Sequence, residues 1–234
     1  MIETLLVANR GEIASRIFRT CRLLGIRTVA VYAEPDSRLP FVREADTAVA
    51  LGGMSATDSY LVVDKILNAA RRTGADAIHP GFGFLSENAA FAQAVIDAGF
   101  TWVGPTPANI AAMGTKVEAK QLAAAAGVPV LPSAVATGDD ASVWAAAADG
   151  VGFPILVKAS SGGGGRGMRI VQSIDQLSEA VTGARREAAA SFGDSTVFLE
   201  RYLPAPRHIE IQVFGDAHGN VIHLGERRYP SFGA

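Results

Sequence analysis

Residues 154–171 read FPILVKASSGGGGRGMRI, an apolar stretch ending in Lys158, then four consecutive glycines, Arg166-Gly167 and a second apolar stretch. Lacking a side chain, glycine lets backbone N–H groups approach an anion closely, and successive amides can form an anion-binding concavity. Lys158 adds a point charge on a long stem. In a Walker A loop, and in the glycine-rich loop of protein kinases, the glycines precede the lysine. Here the lysine comes first and the glycines join two strands, which predicts a flap closing over a phosphate tail. A flexible surface hairpin is the competing reading. The lysine at the strand end and the arginine inside the loop weigh against it.

The rest of the composition narrows the class. The chain has 234 residues, 49% hydrophobic and 19% charged, with a net charge of −2. That is globular composition, with enough length for one large core or two smaller ones. A balance so near neutral gives no footprint for broad nucleic-acid binding. There is no apolar run of about 18 residues, so no membrane span is expected. The N-terminus, MIETLLVANRGEIA, has Glu3 where a signal peptide would carry positive charge, and Arg10, Gly11 and Glu12 cut its apolar run short. The single cysteine, Cys21, excludes an intramolecular disulfide, and a reducing cytoplasmic setting is expected. Cys21 shares a helical stripe with Ile13, Ile17 and Leu24 and is read as a buried structural residue rather than a nucleophile.

The first hundred residues alternate short apolar strands with amphipathic helices. Strands are expected at 3–9, 26–32, 47–51, 75–80 and 100–104, and helices at 11–25, near 60–73 and at 87–98. This alternation predicts a parallel, doubly wound α/β sheet, in which ligands gather beyond the carboxyl ends of the strands. The segments 9–12 (NRGE) and 79–84 (HPGFGF) fall there. The first turn lacks G-x-G-x-x-G, so no dinucleotide site is expected. A helical stretch at 113–127 leads to a small α/β module carrying the glycine-rich segment. In RHIEIQVFGDAHGNVIHLGER (207–227), Ile209, Ile211 and Val213 alternate with His208, Glu210 and Gln212 around a hairpin turn at 215–220. The polar set is either a solvated face or a sheet floor beneath a nucleotide, with His208 and Glu210 pointing into the site.

Five strings in this order resemble the biotin carboxylases, the ATP-grasp subunits or domains of acyl-CoA and pyruvate carboxylases. They are LLVANRGEIASRI (5–17), AIHPGFGFLSENAAFA (77–92), GPTPANIAAMGTKVEAK (104–120), LVKASSGGGGRGMRIV (156–171) and PRHIEIQVFGDAHGNVIHLGER (206–227). The resemblance implies an N-terminal doubly wound domain over 1–113, a linker helix and ATP-grasp lid domain over 114–203, and the first hairpin of a third, antiparallel-sheet domain over 204–234. It implies that ATP activates bicarbonate to carboxyphosphate and that the CO₂ equivalent passes to a ureido nitrogen of biotin. ATP and Mg²⁺ (or Mn²⁺) would be required, with bicarbonate and carrier-bound biotin as substrates. Lys116 and Lys158 match lysines that hold ATP phosphates, and Gly163, Gly164 and Gly165 the lid glycines above them. Glu200, Arg201, Tyr202 and Leu203 match the segment that meets the adenine. His208 matches a phosphate-side histidine, Glu210 a carboxylate near the reaction centre, and Phe82 and Gly83 a turn bordering the biotin pocket. Other ATP-grasp ligases, such as carbamoyl phosphate or purine-pathway relatives, and a non-catalytic nucleotide-binding or docking fragment, are the alternatives.

The resemblance also implies partners. None of Met1, Met54, Met113 or Met168 is followed by lysine, as a biotinyl-accepting segment requires, so a biotin carboxyl carrier protein or domain must present the cofactor. A carboxyltransferase subunit would complete the reaction, and a homodimer is possible in such a family; no nucleic-acid or membrane partner is expected. After 225–227 (GER) the family continues with an acidic residue and a Gln-Arg-Arg-type stretch, whereas this chain reads RYPSFGA. The family's metal carboxylates, bicarbonate base and biotin-steadying arginine would follow that point. The expectation is therefore a truncated chain with no metal site of its own and no bicarbonate-dependent ATP hydrolysis by itself.

Overall fold

The computed structural model describes residues 1–138, 140–160, 168–216 and 218–228. They divide into two compact units, Met1–Ala111 and Ala112–Ala234. Among the described residues no helix is long and apolar enough to cross a membrane.

The first unit alternates strand and helix throughout: β1 (Thr4–Val7), α1 (Gly11–Leu23), β2 (Arg27–Tyr32), α2 (Pro40–Glu44), β3 (Thr47–Ala50), α3 (Val63–Thr73), β4 (Ala77–His79), α4 (Ala89–Asp97), β5 (Thr101–Trp102) and α5 (Pro107–Ala112). The strands form one parallel sheet in the order β3-β2-β1-β4-β5. Every residue of β1 is buried, because a central parallel strand is covered on both faces. Its alternating side chains feed two cores. Leu6 joins Val29, Val31 and Ile78 under Ile66, Phe91 and Val95. Leu5 and Val7 join Ala30 and Ala77 under Ala14, Phe18, Cys21 and Phe41. Helices therefore cover both faces, as the doubly wound reading expects. Cys21 is buried, and that burial pushes its thiol pKa up. The helix expected near 60–73 begins only at Val63, since 56–62 is a turn that buries Tyr60.

The second unit contains α6 (Lys116–Ala125), β6 (Ser133–Ala136), α7 (Ala141–Val151), β7 (Ile155–Ala159), β8 (Arg169–Val171), α8 (Leu177–Phe192), β9 (Val197–Arg201), β10 (Ile209–Gly215) and β11 (Val221–Arg228). The antiparallel sheet runs β6-β9-β7-β8, and β10 and β11 form a separate hairpin. Strand β7 shows period-two burial: Ile155, Val157 and Ala159 point into a core with Val171, Val181, Val197 and Leu199. Trp144 and Ala148 of α7 and Leu177, Val181 and Ala184 of α8 close that core. Leu156, Lys158, Phe198 and Glu200 consequently belong to the opposite face. Helix α6 starts at Lys116 rather than 113, because Thr115 caps it: its Oγ1 accepts from Glu118 N at 3.2 Å and donates to Glu118 Oε2 at 2.9 Å.

Candidate functional site

The face of the β6-β9-β7-β8 sheet away from α7 and α8 gathers charge. Antiparallel pairing sets Lys158 opposite Phe198 and Leu156 opposite Glu200, so Lys158 and Glu200 are diagonal neighbours on one face. Lys158 Nζ donates to Glu200 Oε2, and Lys120 Nζ donates to Glu200 Oε1 at 2.7 Å. Lys120 also donates to the Leu131 carbonyl at 2.8 Å. The Lys158 ammonium lies 5.8 Å from the Phe198 ring centroid, within reach of a cation–π attraction. Burial alone would raise the Glu200 pKa, but the hydrogen bonds and charges of Lys120 and Lys158 outweigh it and hold the carboxyl below the usual glutamate range. Lys116, at the first position of α6, has its ammonium pKa lowered by burial and by the charge of Lys158. Two lysines on one carboxylate, with Lys116 feeling the charge of Lys158, leave a positive surplus suited to a polyanion. A groove of about 470 Å³ adjoins Lys120, lined also by Val117, Gln121 and Ala124 of α6, Ser133 and Val135 of β6, and Phe198.

The chain leaving this face is held by backbone bonds: Arg201 N donates to Pro132 O at 3.0 Å and Tyr202 N to Pro154 O at 2.9 Å. Leu203 is exposed. The strands on either side of the glycine-rich segment pair as expected, Ile155 with Val171 and Val157 with Arg169. Gly163, Gly164 and Gly165 themselves lie outside the described residues.

On the hairpin, Glu210 is a local hub. His208 Nε2 approaches Glu210 Oε1 at 3.4 Å, while Arg227 Nη2 and Gln212 Nε2 approach Oε2 at 3.4 Å and 3.1 Å. Cross-strand pairing of Glu210 with Arg227 makes this possible. Among the described residues no group of three or more His, Cys, Asp or Glu side chains is arranged to hold a metal ion.

The first unit has its own constellation at the carboxyl end of its sheet. Strand order reverses between β1 and β4, where such sheets form ligand crevices. Asn9, 1% exposed, follows β1 and donates to the carbonyls of Pro80 and Phe82, each at 2.9 Å. The Gly81 N–H donates to His79 Nδ1 at 2.9 Å, and burial holds the His79 imidazole below the usual histidine range. Phe84, with φ +46, stacks on Tyr60 at 5.1 Å. The Arg10 guanidinium lies over both rings and pairs with Asp36 at 3.2 Å, and Tyr60 Oη donates to the same carboxylate at 2.6 Å. The turn is thus gripped at 80, 82 and 84, and Phe82, 77% exposed, projects from it beside Gly83. The sequence marks Asn9 and Arg10 as lying beyond a strand end, but not their partners Asp36 and Tyr60, and not Lys120. For Lys120 the available signal was its position four residues after Lys116, on the same helix face.

Residues 1–110 match the family described as biotin carboxylase, N-terminal domain, and residues 115–229 the family described as carbamoyl-phosphate synthase L chain, ATP binding domain. The mitochondrial methylcrotonoyl-CoA carboxylase subunit alpha of Oryza sativa subsp. japonica is 53% identical over 226 residues, covering 97% of this chain and 31% of the relative. The complex of Campylobacter jejuni biotin carboxylase with βγ-ATP superposes with a TM-score of 0.93 at 42% identity, over 97% of this chain and 51% of that one. The biotin carboxylase domain dimer of Hydrogenobacter thermophilus 2-oxoglutarate carboxylase, in complex with MgADP, ADP and bicarbonate, gives 0.91 at 44% identity, over 97% and 50%. The chain therefore spans about half of these structures and less of the longer relative. One domain follows the other along almost the whole length, so the chain carries a biotin carboxylase N-terminal domain and, after it, a carbamoyl-phosphate synthase L chain-type ATP-binding domain, as biotin carboxylases do in their N-terminal part.

Proposed function

We propose that this chain supplies the N-terminal and nucleotide-binding parts of a biotin carboxylase, which uses ATP and bicarbonate to carboxylate biotin on a carrier. The observation that carries this reading is the cationic face of the second unit, where Lys120 and Lys158 share the Glu200 carboxylate and the charge of Lys158 reaches Lys116. Phosphoryl transfer asks a protein mainly to position phosphates and neutralise their charge, and lysines on a rigid strand and a helix start suit that task. In this reading Lys116 and Lys158 bind the phosphate tail, and Gly163, Gly164 and Gly165 cover it with backbone amides. Glu200, Arg201, Tyr202 and Leu203 meet the adenine, largely through backbone groups. His208 and Glu210 face the phosphates and the reacting centre, and Phe82 and Gly83 border the biotin pocket. A division at 1–113, 114–203 and 204–234 follows from these roles.

Magnesium would accompany the nucleotide as Mg-ATP, held mainly by the phosphates; among the described residues no group of three or more His, Cys, Asp or Glu side chains is arranged to hold it. A biotin carboxyl carrier and a carboxyltransferase are the partners this activity needs, and the dimeric state of the Hydrogenobacter domain makes self-association a natural part of the proposal.

Isothermal titration of the 234-residue chain with Mg-ATP tests the nucleotide site. Lys116→Ala and Lys158→Ala should each weaken binding about tenfold or more, as expected for losing a charge-assisted contact. Unchanged affinity in both variants would remove the phosphate roles.

A further inference from the structure

We infer that Lys120 is a positioning residue for the phosphate tail of the nucleotide, tying the helix that begins with Lys116 to the strand pair that carries Lys158. The inference rests on the nucleotide reading of this face. Lys120 is four residues from Lys116, so both leave α6 on one side. Its ammonium has two definite acceptors in different elements: the Leu131 carbonyl before β6, at 2.8 Å, and Glu200 Oε1 on β9, at 2.7 Å. The other oxygen of Glu200 takes Lys158 from β7. The side chains of Lys120, Glu200 and Lys158 are 19%, 12% and 20% exposed. At that burial the carboxylate cannot turn freely to water for replacement partners.

The consequence is electrostatic as well as geometric. A carboxylate shared by two ammoniums cancels neither completely, so Lys158 keeps part of its field for an incoming phosphate. Without Lys120, Glu200 would pair with Lys158 alone and neutralise it more fully. Helix α6 would also lose its polar anchor to β9, and Lys116 at its first position would be held less firmly. Lys120 does not itself have to touch the nucleotide for either effect.

A structural residue and a positioning residue are told apart by titrating Lys120→Met and Lys120→Arg chains with AMP, ADP and ATP, alongside the wild type. The expected result is that Lys120→Met weakens ATP binding about tenfold and leaves AMP nearly unchanged, while Lys120→Arg stays within about threefold of wild type, because an arginine still donates to both acceptors. Lys120→Met binding ATP as the wild type does would overturn the inference. So would an equal loss for AMP and ATP, since that is the mark of general unfolding. A wild-type chain that binds no nucleotide would instead defeat the nucleotide reading. The coupling is then read separately in the free chain, from the NMR signal of the Lys158 ammonium. That signal should move in Lys120→Met, and an unmoved signal would show that no coupling exists.

Discussion

At the scale of single residues, the buried polar groups set the sharpest expectations. Asn9 is 1% exposed and satisfies two carbonyls of the turn after β4. Asn9→Ala leaves both acceptors without that donor and should cost about 1–3 kcal/mol, measured by urea denaturation of the first unit. Gly81 reinforces the point. A Cβ there would meet Asn9 Nδ2 at 2.7 Å, at φ +69. Glu200 governs a pH effect. Its folded pKa lies below its ordinary value of 4.5, so its contribution to stability is present above that value and is lost as pH falls through the depressed one. Urea midpoints measured on acidification should fall more steeply for wild type than for Glu200→Gln, and parallel curves would contradict the assignment. Lys158 was legible as the charge that ends an apolar run, and Glu200 only through the family resemblance. Lys120 was not, since helical spacing states which way a side chain leaves α6 but not that Glu200 stands opposite.

Among elements, β7 shows how far periodicity reaches. Its pattern of buried Ile155, Val157 and Ala159 against half-buried Leu156 and Lys158 follows from period-two alternation. Strand β6 shows where it stops. Residues 128–135 carry three valines and a leucine, yet pairing starts only at Ser133, after Pro132, which has no N–H to give a sheet. Helix α6 turns a local signal into a functional one. Its capping box, Thr115 with Glu118, fixes the position of Lys116 one residue later. Thr115→Ala should therefore cost about 1 kcal/mol of stability and also weaken Mg-ATP binding. A loss of stability with unaltered affinity would mean that the helix start does not position a phosphate ligand.

Over the whole molecule, strand–helix alternation announced the doubly wound first unit, and two helix-covered faces are what it forms. The alternation does not disclose the strand order β3-β2-β1-β4-β5, which places Asn9 beside the 80–84 turn, because that pairing joins residues about seventy positions apart. The same is true of β9 lying between β6 and β7, which creates the charged face. Each unit has its own core, so a ligand bound to one should stabilise the backbone of that unit first. Hydrogen–deuterium exchange of the chain with and without Mg-ATP, read by mass spectrometry, is the most direct test of the nucleotide site. The account predicts slowed exchange over α6, β7 and β9, with the parallel sheet of the first unit unchanged. No protection at those elements with saturating nucleotide, or protection confined to the first unit, would contradict it.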